Sequence, residues 1–259
     1  MKKTMKYILS ALAFLMVSLP LIAAAESPPP LAEMWILVPK ADERDKFEEG
    51  LKKHMAFRQE HGDPRSWQVY VPSLGDDLNR VGIRYCCLNW ADVDTYRAWS
   101  MENEKIGEHY DKHVAPHVKK AAHYFESISW ENSYWSDENG PYRLFAVTEF
   151  NIKAGHAAAF DAARDKMSQI ALNHGWASDD HVWMWGTTIG GAPQESIVIP
   201  HANWASMDRD EEPFFKFLSR TMGSESAAGE LMKEFSSTVE STNYQVWVHR
   251  EDLSMEQDD

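Results

Sequence analysis

The chain has 259 residues, with 40 acidic against 26 basic side chains and a formal charge of −14. A field of that sign repels phosphate and argues against nucleic acid and anionic membrane surfaces as partners. Cys86 and Cys87 are its only cysteines. Neighbours on a strand point to opposite faces, so the pair suits packing better than a bridge, and the fold must stand on its apolar core. A vicinal redox disulfide or a soft-metal pair is the alternative.

The chain begins with Lys2, Lys3 and Lys6, a mostly apolar run over 7–22, and Ala23-Ala24-Ala25. That order reads as a signal peptide over 1–25, short for a bilayer span and followed by no lipid-accepting cysteine. Its removal takes away three lysines and no acids, moving the charge from −14 to −17. A periplasmic or secreted protein is expected, with no membrane span after cleavage. Residues 26–30 read as a linker.

Residues 31–138 read as one βαββαβ unit. An apolar run over 34–38 stops at Pro39, as a strand does. Phe47, Leu51, His54, Met55 and Arg58 recur at helical spacing within 42–61, and Gly62 suits the position after a helix. Strands are expected over 67–71 and 81–90, joined by turn residues at 73–79. A helical region in two pieces, 91–100 and 103–124, precedes a last strand over 126–135.

Residues 139–253 repeat the plan after Gly140-Pro141, and 254–259 form an acidic tail. A strand over 144–150 leads to an Ala-rich helix over 156–174. Strands over 181–185 and 196–204 flank Gly190-Gly191-Ala192-Pro193. The helical region breaks near 223–226, resumes over 227–239, and is followed by a strand over 243–249. Matched residues support a duplication. Lys40-Ala41, Phe47 and His61-Gly62 recur as Lys153-Ala154, Phe160 and His174-Gly175 at an offset of 113, and Asn89-Trp90-Ala91 recurs as Asn203-Trp204-Ala205 at 114.

A βαββαβ unit carries both helices on one face of its sheet and leaves the other face bare. Two such faces can pack together or curl into one barrel. The expected fold class is therefore α+β: two tandem ferredoxin-like units forming a pseudo-dimeric α+β barrel. On this element order and the split second helix, nearly all of the chain beyond residue 25 resembles the dimeric α+β-barrel superfamily in tandem-fused form. That superfamily includes antibiotic-biosynthesis-type monooxygenases, NIPSNAP-like proteins and haem proteins such as chlorite dismutases. The resemblance implies a small-molecule site, with cofactor-independent oxygenase chemistry on an apolar or aromatic substrate. Non-covalent haem or metal binding is the second reading. A non-catalytic interaction or stress-related module, its inter-sheet space filled by tryptophans, is the third.

His109, His113 and His117 follow one another at i, i+4 and i+8, which stacks them on a single helix face. His113 and His117 are the candidate catalytic bases, since an imidazole titrates near neutral pH. A hydrated helix flank is the competing explanation, and Pro116 disturbs the spacing. Candidate ligand-binding residues are Tyr110, Tyr85 and Asn89 in the first unit, and Trp183, Trp185, His201 and Asn203 in the second. Asn89 and Asn203 also suit helix N-caps, and His61 and His174 suit helix C-termini. No metal set is identified and no cofactor is named, because phosphate-loop, dinucleotide, G-x-S-x-G and covalent-haem patterns are missing.

Overall fold

Among the described residues, the eight strands turn one face toward a shared interior and the other toward the helices. The computed structural model describes residues 28–208 and 211–256. The expected signal peptide and the end of the acidic tail lie outside the described residues. The first unit runs β1 (Leu31–Pro39), α1 (Arg44–Glu60), β2 (Gln68–Leu74), β3 (Val81–Leu88), α2 (Trp90–Glu102), α3 (Glu104–His113) and β4 (Val118–Ile128). The second runs β5 (Leu144–Ile152), α4 (Ala157–Asn173), β6 (Met184–Ile189), β7 (Gln194–His201), α5 (Phe214–Met222), α6 (Glu225–Ser237) and β8 (Val239–His249). All strand pairs are antiparallel, and the two sheets close into one barrel in the order β1-β3-β2-β8-β5-β7-β6-β4.

Strand alternation assigns the faces. Leu37, Val69, Val81 and Ile83 turn outward onto Phe47, Leu51 and Met55 of α1. Phe150 and Trp185 turn outward onto Phe160, Phe217 and Leu231 of the second unit's helices. Phe47 and Phe160, matched in the repeat, are both fully buried, each contributing roughly 2–3 kcal/mol of transfer free energy. Gly62 (φ +70°) and Gly175 (φ +81°) take the left-handed conformation just beyond the first helix of each unit.

The second helical region is shorter than the sequence pattern predicts. α3 ends at His113, residues 115–117 form one 3-10 turn, and β4 already begins at Val118. Pro116 explains the stop, because its ring cannot continue the helical ladder. Beyond it, Lys120, Ala122 and Tyr124 alternate inward opposite Val38, Ile36 and Met34 of β1. The single-face histidine trio is thereby corrected: His109 and His113 share α3, and His117 does not. In the second unit β8 likewise begins at Val239, where helix was expected.

Candidate functional site

The inward strand faces do not fill the barrel. They enclose a cavity of about 1470 Å³, walled by apolar side chains such as Met34, Ile36, Phe145, Val147, Val198 and Trp247. Tryptophans therefore do not fill the inter-sheet space, as the interaction-module reading required. Polar groups enter this lumen at alternate positions of the same strands. Arg84 stands between inward-facing Gly82 and Cys86 on β3, opposite Met34. Its Nη2 lies 3.5 Å from Oε2 of Glu126 and has no hydrogen-bond partner among the described residues. Glu126 is buried and accepts a 2.8 Å hydrogen bond from Ser196 Oγ. Gly186 leaves the space its carboxylate occupies, since a Cβ there would collide with it.

His249 closes β8 toward the other side of the lumen, and the bonds around it fix its tautomer. The Gln68 amide nitrogen donates to the Ser66 and Met255 carbonyls, at 3.2 and 3.1 Å. Gln68 Oε1, 2.9 Å from His249 Nε2, is therefore the acceptor. Ser254 Oγ accepts from Val69 N–H and donates to the Arg250 carbonyl, so toward His249 Nε2 at 3.2 Å it too can only accept. The ring proton sits on Nε2, and Nδ1 keeps its lone pair. Burial holds the His249 pKa below the ordinary histidine value, with Glu251 opposing and Arg143 assisting. Tyr70, whose ring centre lies 5.1 Å from that of His249 and 5.3 Å from that of Phe145, has its phenol pKa raised by burial. The lumen thus offers a neutral base, a protonated phenol and a guanidinium that is ion-paired with Glu126 but makes no hydrogen bond through Nη2.

At the same end, Cys86 and Cys87 are joined by a disulfide, where two unlinked packing residues were expected. Strand alternation fails here because the register passes from Ala32↔Cys86 to Leu31↔Leu88, leaving Cys87 as a bulge. Both cysteines line the lumen's end together with Trp130, Trp135 and Met184.

None of the nine residues singled out from the sequence lines this lumen. His113 packs on His109 with ring centres 4.3 Å apart, beside α1. His117 Nδ1 lies 3.2 Å from Glu43 Oε2. Tyr85 and Tyr110 pack against the first unit's core outside the barrel. Trp183 and Trp185 are buried in the second unit's core, with Trp183 Nε1 donating to the Asn132 carbonyl at 2.7 Å. His201 Nδ1 lies 2.9 Å from the Ser206 carbonyl. Asn203 accepts from the Ala205 and Ser206 N–H groups as an N-cap, and Asn89 N–H donates to Asp92 in a capping box. Arg84, Glu126, Tyr70 and His249 were not singled out. For Arg84 and Glu126 the signal is an ionisable side chain on a strand face whose neighbours two residues away are Gly82 and Cys86, or Tyr124 and Ile128. Tyr70, beside Gln68, and His249, beside Glu251, carry no such signal.

No family model and no curated protein matches this chain. Solved structures do. A protein provisionally named a monooxygenase, from Lactobacillus acidophilus NCFM, aligns at TM-score 0.51 and 14% identity over 88% of this chain and 97% of that one. A variant of chlorite dismutase from Candidatus Nitrospira defluvii aligns at TM-score 0.50 and 9% identity over 88% and 95%. This chain has the tandem α+β-barrel fold. At such identities the likeness is one of fold. Among the described residues no helix is long and apolar enough to cross a membrane, and no group of three or more His, Cys, Asp or Glu side chains could hold a metal ion.

Proposed function

We propose that this chain is an exported small-molecule-binding protein whose ligand occupies the barrel lumen. The ligand is an apolar or aromatic molecule carrying an anionic or strongly accepting group for Arg84. The observation that carries the reading is Nη2 of Arg84, ion-paired with Glu126 at 3.5 Å but making no hydrogen bond, beside a partly apolar space of about 1470 Å³, since a buried cationic N–H without a hydrogen-bond acceptor is costly. Export rests on the composition of residues 1–25. The enzymatic extension is oxygenase-type chemistry without a cofactor, in which His249 Nδ1 takes an acidic proton from the ligand. This reading takes His249 as the base, rather than His113 or His117, because neither of those lines the lumen.

Haem, carried by some proteins of this fold, does not fit the space between helices and sheet. In the second unit Phe150, Phe160, Trp185, Phe217 and Phe235 fill it. In the first, His123 already has Nε2 2.8 Å from Glu33 Oε1 and Trp35 stacked on its ring at 4.0 Å. No step through haem is derived.

Anilinonaphthalene sulfonate, an aromatic anion, is a suitable probe. It should bind saturably at one site per chain by fluorescence titration, with near-ultraviolet circular dichroism unchanged. Arg84→Met should weaken it about tenfold, the worth of one charged hydrogen bond, whereas His113→Ala and His117→Ala should leave it unchanged. Equal affinity in Arg84→Met would sink the lumen assignment.

A further inference from the structure

A disulfide stabilises a fold chiefly by closing a loop of the unfolded chain, and the gain grows with the residues enclosed. The bond between Cys86 and Cys87 joins sequence neighbours and encloses none. β3 is held without it, through Ala32↔Cys86 and Leu31↔Leu88. Stability therefore does not account for this bond. Its position does offer a role. Both cysteines are half-buried rather than sealed, and both line the lumen's end beside Trp130, Trp135 and Met184. The duplication isolates the feature further. Pro200, opposite Phe145, stands where Cys86 stands opposite Ala32, and the second unit has no cysteine.

We propose that Cys86–Cys87 is a reversible two-electron thiol–disulfide site, reacting with small organic dithiols that reach it through the lumen. A dithiol loses a proton, and its thiolate attacks one cysteine sulfur. The S–S bond breaks, a mixed disulfide forms, and the other cysteine leaves as a thiolate and takes up a proton. The reagent's second thiol then loses its proton and attacks the mixed disulfide, closing the reagent into a cyclic disulfide and releasing the second cysteine as a thiol. Two electrons and two protons pass from dithiol to protein, and the reverse reaction restores the bond.

The test is native full-length protein treated with dithiothreitol. Free thiols are counted by alkylation and intact mass, and fold is followed by near-ultraviolet circular dichroism. Both cysteines should become alkylatable together while the fold persists, and oxidised dithiothreitol should mask them again. Bound anilinonaphthalene sulfonate should slow the reduction several-fold. A double variant, Cys86→Ala with Cys87→Ala, should keep the parent's Tm and lose the exchange. Thiols alkylated without reductant, a bond that yields only on unfolding, a lowered Tm in the double variant, or reduction untouched by bound sulfonate would each overturn the proposal. If the sulfonate does not bind and exchange still occurs, the lumen-ligand reading fails and the redox site stands.

Discussion

Between the helices and sheet of the second unit lie Phe150, Phe160, Trp185, Phe217, Leu231 and Phe235, a layer closed by aromatic rings. The same layer of the first unit shares its space with charge. There the buried Arg65 pairs with buried Glu33, and its guanidinium carbon lies 3.7 Å from the Tyr96 ring centre. Arg58 donates to Tyr96, Asp63 and His54. α2 buries no residue at all, and Trp90 at its start is 54% exposed. A buried ion pair contributes little net stability compared with apolar packing. Both units bury an apolar cluster against α1 or α4; the first adds the Arg65–Glu33 pair to its layer, and the second places buried Arg164 against Asp161, Asp165 and Glu195.

The largest effect expected from breaking this contrast is in the second unit. Phe160→Ala removes a fully buried ring that touches Phe150, Trp185 and Phe235. It should cost about 4 kcal/mol, read from urea midpoints at constant m-value. A smaller loss tests how the first unit's helices meet. Gly50 lets α1 approach the His113 carbonyl so closely that any Cβ would collide with it. Gly50→Ala should cost about 2 kcal/mol by overpacking. Its counterpart at the repeat offset is the buried Ala163, where Ala163→Gly should cost only about 1 kcal/mol through helix propensity.

The last effect depends on pH and is read as a slope. His54 accepts from Arg58 at Nε2, so its proton is on Nδ1, facing His109 Nδ1 at 3.2 Å. Burial, with Arg58 next, lowers its pKa to about 3. Between about pH 6.5 and 3 the unfolded chain binds this proton and the folded chain does not, so the contribution is intact above pH 6.5 and is lost as pH falls through that window. His54→Gln should flatten the stability profile there by about 1 kcal/mol per pH unit relative to the parent. Identical slopes in both proteins would show that His54 is protonated in the native state.

The architecture was readable because helix caps recur at an offset of 113 and a strand end at 114, and those positions obey local rules. The helix boundary at His113 was misread because Val118 to Phe125 keeps apolar residues at spacings that suit a helix as well as a strand, and only Pro116 argues for the stop. The lumen was unreadable for a different reason. Tyr70, Arg84, Glu126 and His249 sit on four strands, and only barrel closure through β2–β8 and β4–β6 brings them around one space. The histidines of α3 drew notice because they are close in sequence, which is not the distance that matters for a barrel interior.

Covalent fusion has a consequence for how a guest molecule can lie. Arg84 opposite Met34 corresponds to Val198 opposite Val147, and Glu126 opposite Ala32 corresponds to Trp247 opposite Phe145. A barrel assembled from two identical chains would repeat each charge across a two-fold axis and offer every guest two equivalent headings. A single chain has removed that degeneracy at these positions, with Arg84 and Glu126 on one wall and Val198 and Trp247 at the matching places on the other. Under the proposed lumen-binding reading, a guest would have one heading, and the disulfide would meet only one of its ends.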